Sequence, residues 1–194
     1  MFETLKDFDT TLFLSLNSHY TPWLDVVMFN VSKVWVFFPL FFYWIFLIFK
    51  KYGLKKLLIL LACIGFLVAV TDQTTNRVKH AVKRYRPTHN TEIGAQVHTV
   101  NDYRGGQYGF FSGHSSNTFG VAMFLFLVFS KRSLLFRSQF FIWAAVVAYS
   151  RIYLGVHYPS DIFTGFLLGL LLGFCIYQLA YYIFKTKLNE DLAL

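Results

Sequence analysis

Five long apolar stretches, set apart by basic or polar breaks, leave few folds open to this sequence. They run from about Trp23 to Phe49, Leu57 to Val70, Ser115 to Ser130, Ser138 to Ile152 and Asp161 to Phe184. A helix needs about 20 mostly apolar residues to cross a ~30 Å hydrocarbon layer, and stretches of this kind suit spanning helices. Hydrophobic residues make up 56% of the chain and charged residues 14%, well below the roughly 25% charged of ordinary soluble domains. The 21% aromatic content suits lipid-facing helices with aromatic belts at the membrane surfaces. The predicted fold is therefore an all-α integral membrane helical bundle of about five transmembrane helices, forming one domain over residues 1–194. An amphipathic surface helix precedes it. Phe2, Leu5, Phe8, Leu12 and Leu16 recur at three- and four-residue steps, and the segment is too polar to span. Glu3, Lys6, Asp7 and Asp9 interrupt it, so it does not read as a cleaved signal peptide.

The formal net charge is +8. No nucleic-acid-binding motif accompanies it, so the expected partners are membrane lipids and an anionic substrate. Nine of the 18 Lys and Arg residues fall in 50–56, 131–137 and 185–187. With five spans those three breaks share one side, which the positive-inside rule makes cytoplasmic. The N-terminus is then outside. Arg77, Lys79, Lys83, Arg84, Arg86, Arg104 and Arg151 crowd the opposite end, where a pocket for an anion gives them a separate reason to exist. Cys63 and Cys175 sit in apolar stretches, and no CxxC or Cys/His zinc spacing occurs. Gly165, Gly169 and Gly173, four residues apart, predict close helix packing within the chain. In the long polar connection 87–110, His89 and His98 are expected to be solvated, and Tyr103 to Gly106 to form a lid.

Span counting alone brings three polar segments to the outer end: Lys79–Pro87, Phe111–Asn117 and Ser150–Asp161. Their chemistry suits phosphate. Lys79, Arg86 and Arg151 offer charge-assisted hydrogen bonds, and the Arg forks match phosphate oxygens. Ser112 and Gly113 precede a helix, whose first N–H groups attract anions. His114, His157 and Asp161 allow nucleophilic attack and proton transfer. Pro159 is expected to open the fifth helix with Asp161 in its first turn. Plainer roles compete: Lys79 and Arg86 as interface anchors, Ser112 and His114 as helix caps, His157 and Asp161 as a structural pair, Arg151 as a snorkelling side chain.

The three segments resemble the signature of the type-2 phosphatidic acid phosphatase family, which shares its site with vanadium haloperoxidases. Its pattern reads K-x6-RP, PSGH and SR-x5-H-x3-D. Lys79 to Pro87 and Ser150 to Asp161 match the first and third parts, and Ser112-Gly113-His114 the second, with Phe111 where the family usually has Pro. The resemblance covers about residues 57–184 and implies a lipid phosphatase without metal or cofactor. It implies that His157 attacks phosphorus, that Asp161 orients His157, and that His114 protonates the leaving oxygen and then activates water. Lys79, Arg86, Ser112, Gly113 and Arg151 would bind phosphate. The substrate would be a lipid phosphomonoester or diphosphate, undecaprenyl diphosphate being favoured over phosphatidylglycerol phosphate, phosphatidic acid and lipid A. The expected location is the outer face of a bacterial cytoplasmic membrane. Phosphotransfer to another acceptor, or a non-enzymatic transporter or phospholipid-binding role, are the alternatives, although transporters usually place ionisable sites near the midplane between repeats.

Overall fold

The computed structural model describes residues 2–189 and 191–194. Among them the helices are α1 (Phe2–Asn17), α2 (Pro22–Val31), α3 (Phe38–Val82), α4 (Gly113–Val128), α5 (Leu134–Tyr153) and α6 (Pro159–Lys187). No strand forms among the described residues. One isolated antiparallel bridge, Tyr85 with Tyr108, closes the neck of the long connection, and short 3-10 turns at Pro87–His89 and Gly94–Gln96 shape the chain inside it. Two helical stretches, Val34–Val82 and Pro159–Lys187, are long and apolar enough to cross a membrane.

The first half of the chain departs from expectation. The stretch 23–49 is not one helix: α2 stops at Val31, Lys33 is extended, and a 3-10 turn at Val34–Phe37 precedes α3. Two local causes are visible. The Ser32 hydroxyl donates to the Phe29 carbonyl, and Pro39, in the first turn of α3, lacks the N–H that would continue a helix from below. The basic break at 50–56 is correspondingly smaller than expected. It reduces to one residue, Gly53, whose φ of 74° interrupts an otherwise helical α3; only glycine takes that conformation readily. Beyond it α3 runs through the apolar stretch Leu57 to Val70, continues as a polar helix from Thr71 to Val82 and ends on Lys83 in the left-handed conformation.

Helix α1 packs on the protein through a face that hydrophobic periodicity does not mark. The apolar stripe faces out, with Leu5 61% and Phe8 66% exposed; the side chain of Phe2 lies outside the described residues. The buried face is Asp9, Phe13 and Asn17, spaced by four. Asn17 explains the choice. Its amide donates to the Tyr153 carbonyl at 2.8 Å and to those of Ile152 and His98 at 3.2 Å, and its oxygen accepts the His98 N–H at 2.8 Å. A polar face with that many partners is stabilised by its burial.

The core sits between α3, α4, α5 and α6. Trp44 packs edge-on against Phe140 and Trp143 of α5, and its indole N–H reaches Gln139. Tyr52 meets Phe184 at 5.7 Å. Lys50, Lys51, Lys131 and Arg132 line one cavity with Ala193 and Leu194, so two of the three basic breaks meet. The closest packing is α4 on α6. A Cβ on Gly165 would lie 2.7 Å from the Ser112 carbonyl oxygen, one on Gly169 2.5 Å from that of Ser116, and one on Gly173 2.4 Å from that of Gly120. The glycine row thus serves packing within the chain. At Gly65, by contrast, an added Cβ meets nothing within 4 Å. Glycine to alanine inside a helix is intrinsically favourable by about 1 kcal/mol. Gly65→Ala should therefore leave the melting temperature in detergent unchanged or raised, while Gly169→Ala should destabilise by about 1–3 kcal/mol through overpacking.

Candidate active site

The four elements that end near the long connection surround a cavity of about 390 Å³ lined by Lys79, Arg86, Gly113, His114, Arg151 and His157. Each motif therefore contributes to one space. Lys79 stands on the last turns of α3, Arg86 just past its end, Gly113 and His114 on the first turn of α4, Arg151 on the last turn of α5. His157 lies in the bend before α6, where Gly155 takes φ 74°. A Cβ there would press to 2.5 Å from Val97 and 2.9 Å from the His98 carbonyl, so only glycine lets the connection lie over this bend. As expected, Pro159 opens α6 and Asp161 sits in its first turn.

His157 is 1% exposed, and its Nδ1 lies 3.2 Å from Asp161 Oδ2. A carboxylate only accepts, so Nδ1 carries the proton and Nε2 of the neutral ring keeps its lone pair. Asp161 is itself fixed: Oδ2 accepts the Tyr158 N–H at 3.1 Å and Oδ1 accepts Arg84 Nη1 at 2.9 Å. Gly109 covers the pair, since a Cβ there would lie 2.9 Å from Asp161 and 3.5 Å from His157.

The cations differ in their partners. Among the described residues no carboxylate lies within ion-pairing distance of Lys79, Arg86 or Arg151, whereas Arg84 takes both Asp9 and Asp161. Arg86 Nε donates to the Tyr108 carbonyl at 3.1 Å, and Gly105, at φ 66°, lies so close that a Cβ would sit 2.4 Å from Arg86 Nη1. Arg151 is 2% exposed. It donates to the Tyr103 hydroxyl at 2.8 Å, and its buried Nε–H has no partner among the described residues. A dry guanidinium with an unused donor suits an anion in the cavity. At the first turn of α4, Gly113 leaves room for the Lys79 ammonium, 3.5 Å from where a Cβ would stand. Asp72 is the one carboxylate lining the space, held by Asn117 at 2.8 Å.

Ser112, expected to bind phosphate, does not line the cavity. It is fully buried beneath it. Its N–H donates to the Asp161 carbonyl at 3.0 Å, and its hydroxyl oxygen caps α4 by accepting the Ser115 N–H at 3.4 Å. His98 is not solvated either: Nε2 lies 2.8 Å from Asp25, and the ring stacks on Tyr20 at 3.7 Å. Tyr103 and Gly106, expected in a lid, do line the cavity. Arg84 was missed. It occupies an unspecified position of the first segment, and nothing local marks it apart from its basic neighbours.

A match to the PAP2 superfamily model covers residues 56–185. A lipid A 4'-phosphatase of Porphyromonas gingivalis is 34% identical over 93% of this chain and 76% of its own. The chain belongs to the PAP2 superfamily. A second lipid A 4'-phosphatase, from Bacteroides thetaiotaomicron, is 36% identical over 98% of this chain and 84% of its own. Among solved structures, the transmembrane PAP2-type phosphatidylglycerolphosphate phosphatase of Bacillus subtilis superposes with a TM-score of 0.68 at 23% identity, over 93% of this chain and 88% of that one. Aquifex aeolicus LpxE gives 0.67 at 23%, over 87% and 94%. The fold is that of membrane PAP2 proteins, and the chain is an integral membrane protein.

The charges shape how this PAP2 site titrates. His114, at the polar end of α4, is pushed from its ordinary 6.5 down to about 3, first by loss of hydration and then by Arg151, His157, Lys79 and Arg86. His157 falls well below its ordinary value for the same reasons, burial leading, with Arg86 and Arg151 next. Both rings are neutral at pH 7. The unfolded chain binds the His114 proton below pH 6.5, and the folded chain only near 3. Stability should therefore fall as pH drops through that interval. Thermal unfolding at a series of pH values should show this slope, and His114→Asn should flatten it.

Proposed function

We propose that this protein is a lipid phosphatase acting through a phosphohistidine on His157. The observation that carries the reading is the fixed tautomer of His157: Asp161 takes Nδ1, leaving the Nε2 lone pair in a cavity also lined by Lys79, Arg86 and Arg151. Nε2 attacks phosphorus and a P–N bond forms. The P–O bond to the lipid breaks, and His114 gives the leaving oxygen a proton. Asp161 stabilises the imidazolium of the phosphorylated ring, as the carboxylate of a Ser-His-Asp triad does. His114, now neutral, takes a proton from water, whose oxygen attacks phosphorus; the P–N bond breaks and inorganic phosphate leaves. Lys79, Arg86, Arg151 and the Gly113 N–H spread the charge of the five-coordinate transition state, the part a metal ion plays in many phosphatases. The same anion explains how His114 acquires its proton. A phosphate dianion beside the ring offsets the positive charges that, after burial, lower its pKa.

In this reading the two parts of α3 on either side of Gly53, together with α4, α5 and α6, make five spans, and α1 lies at the surface with Leu5, Phe8 and Leu12 in the headgroup layer. The end carrying Lys50, Lys51, Lys131 and Arg132 is cytoplasmic, and the site faces outward from the cytoplasmic membrane. The lipid tail stays in the bilayer while its phosphate enters at headgroup depth. Alignment of the two lipid A 4'-phosphatases over nearly the whole chain supports a glycolipid phosphomonoester of the lipid A class as substrate, ahead of the undecaprenyl diphosphate favoured by the sequence alone.

Phosphate release by purified protein from a panel of lipids, in detergent with chelator, tests the reading. Lipid A should be the best substrate. His157→Ala should abolish turnover, a loss of at least about 10⁴-fold if it behaves like a triad nucleophile, with the fold intact. Release that depends on added metal, or that survives in His157→Ala, contradicts it.

A further inference from the structure

Asp9 does not line the cavity, yet it connects to the His157 ring through two residues, Arg84 and Asp161. Its Oδ2 accepts Arg84 Nη2 at 2.6 Å, and its two oxygens accept the Ser160 N–H at 2.9 Å and the Ser160 hydroxyl at 2.5 Å. Arg84 in turn donates from Nη1 to Ser160 Oγ at 2.6 Å and to Asp161 Oδ1 at 2.9 Å. Its guanidinium lies 4.1 Å from the centre of the Tyr158 ring, and Phe13 of α1 meets that ring edge-on at 5.4 Å. Arg84, which holds Oδ1 of Asp161, is thus itself held by α1 through Asp9.

We propose that Asp9 is a positioning residue for the reaction, acting through Arg84 to hold the Asp161 carboxylate, and with it the His157 ring. The inference rests on His157 being the nucleophile. The chemistry requires a fork. One planar guanidinium spans two carboxylates with separate N–H groups, so the position of Asp9 sets the plane of Arg84, and that plane sets where Oδ1 of Asp161 rests. Oδ2 then has one orientation in which it meets both Nδ1 of His157 and the Tyr158 N–H. An ammonium in place of Arg84 keeps the charge without coupling the two directions. Misplacing a reacting group by about 1 Å can cost on the order of 100-fold, without changing how the substrate phosphate meets Lys79, Arg86 and Arg151.

A double-mutant cycle on the full chain in detergent, with a soluble aryl phosphate, tests this. Asp9→Asn should lower kcat by about 10- to 100-fold with KM within about twofold. Arg84→Ala should lose at least as much, and adding Asp9→Asn to it should cost little more. The proton NMR signal of His157 Nδ1–H, assigned by its disappearance in His157→Gln, should move in Asp9→Asn. That readout does not need turnover, so it stands even where wild-type protein releases no phosphate, a result that would overturn the phosphatase reading instead. An unmoved resonance overturns the proposal. So does a wild-type kcat with a lowered melting temperature, which would make Asp9 an anchor for α1 alone, and so do losses that multiply in the double variant.

Discussion

Helices α4 and α6 meet backbone to backbone along Gly165, Gly169 and Gly173, and the polar end of the molecule depends on that contact. It brings the start of α4 against the start of α6, where Ser112 N–H donates to the Asp161 carbonyl and the Ser115 hydroxyl to that of Ile162. These bonds set the distance between the loop carrying Gly113 and His114 and the bend carrying His157. Side chains larger than hydrogen on that face of α6 would part the two helices, and the two histidines would no longer border one cavity. In a bilayer, where apolar side chains gain little by leaving lipid, close approach of small residues is what holds helices together.

The second organising fact is the unequal treatment of like charges. Arg84 has two carboxylates, while Lys79, Arg86 and Arg151 have none within ion-pairing distance among the described residues. Collecting unpaired cations in a confined space opposes folding, and a structure keeps such an arrangement where an anion completes it. The neutrality of His114 and His157 belongs to the same balance: burial first, and then the neighbouring cations, hold both rings unprotonated.

Much of this was legible in the residues. The apolar runs gave the later helices to within a few residues, because α4, α5 and α6 each end at polar or Pro-containing segments. The motif spacing gave Lys79, Arg86, His114, Arg151, His157 and Asp161, since each follows from a helix end or a fixed offset. What escaped notice depends on contacts distant in sequence. In α1 hydrophobic periodicity marks the stripe of Leu5 and Phe8 but not the face that packs on the protein, because it does not weigh the carbonyl groups that Asn17 satisfies. The break at residues 32–37 hides in a stretch whose overall hydropathy is high. Ser112 looked like a phosphate ligand because its place beside Gly113 is visible in sequence, and its burial under the loop is not. Arg84 could not be told from Lys83 or Arg77 without the two carboxylates, 75 and 77 residues away, that give it its place.

The central claim is that phosphorus bonds to Nε2 of His157 during turnover. Turnover of a phosphate-labelled substrate, quenched in alkali where phosphohistidine survives, followed by peptide mapping, tests it most directly. The account predicts label on the peptide containing His157, accumulating in His114→Ala with an activated substrate because hydrolysis of the intermediate is slowed. Turnover without any labelled peptide, or label carried by a different residue, would contradict it.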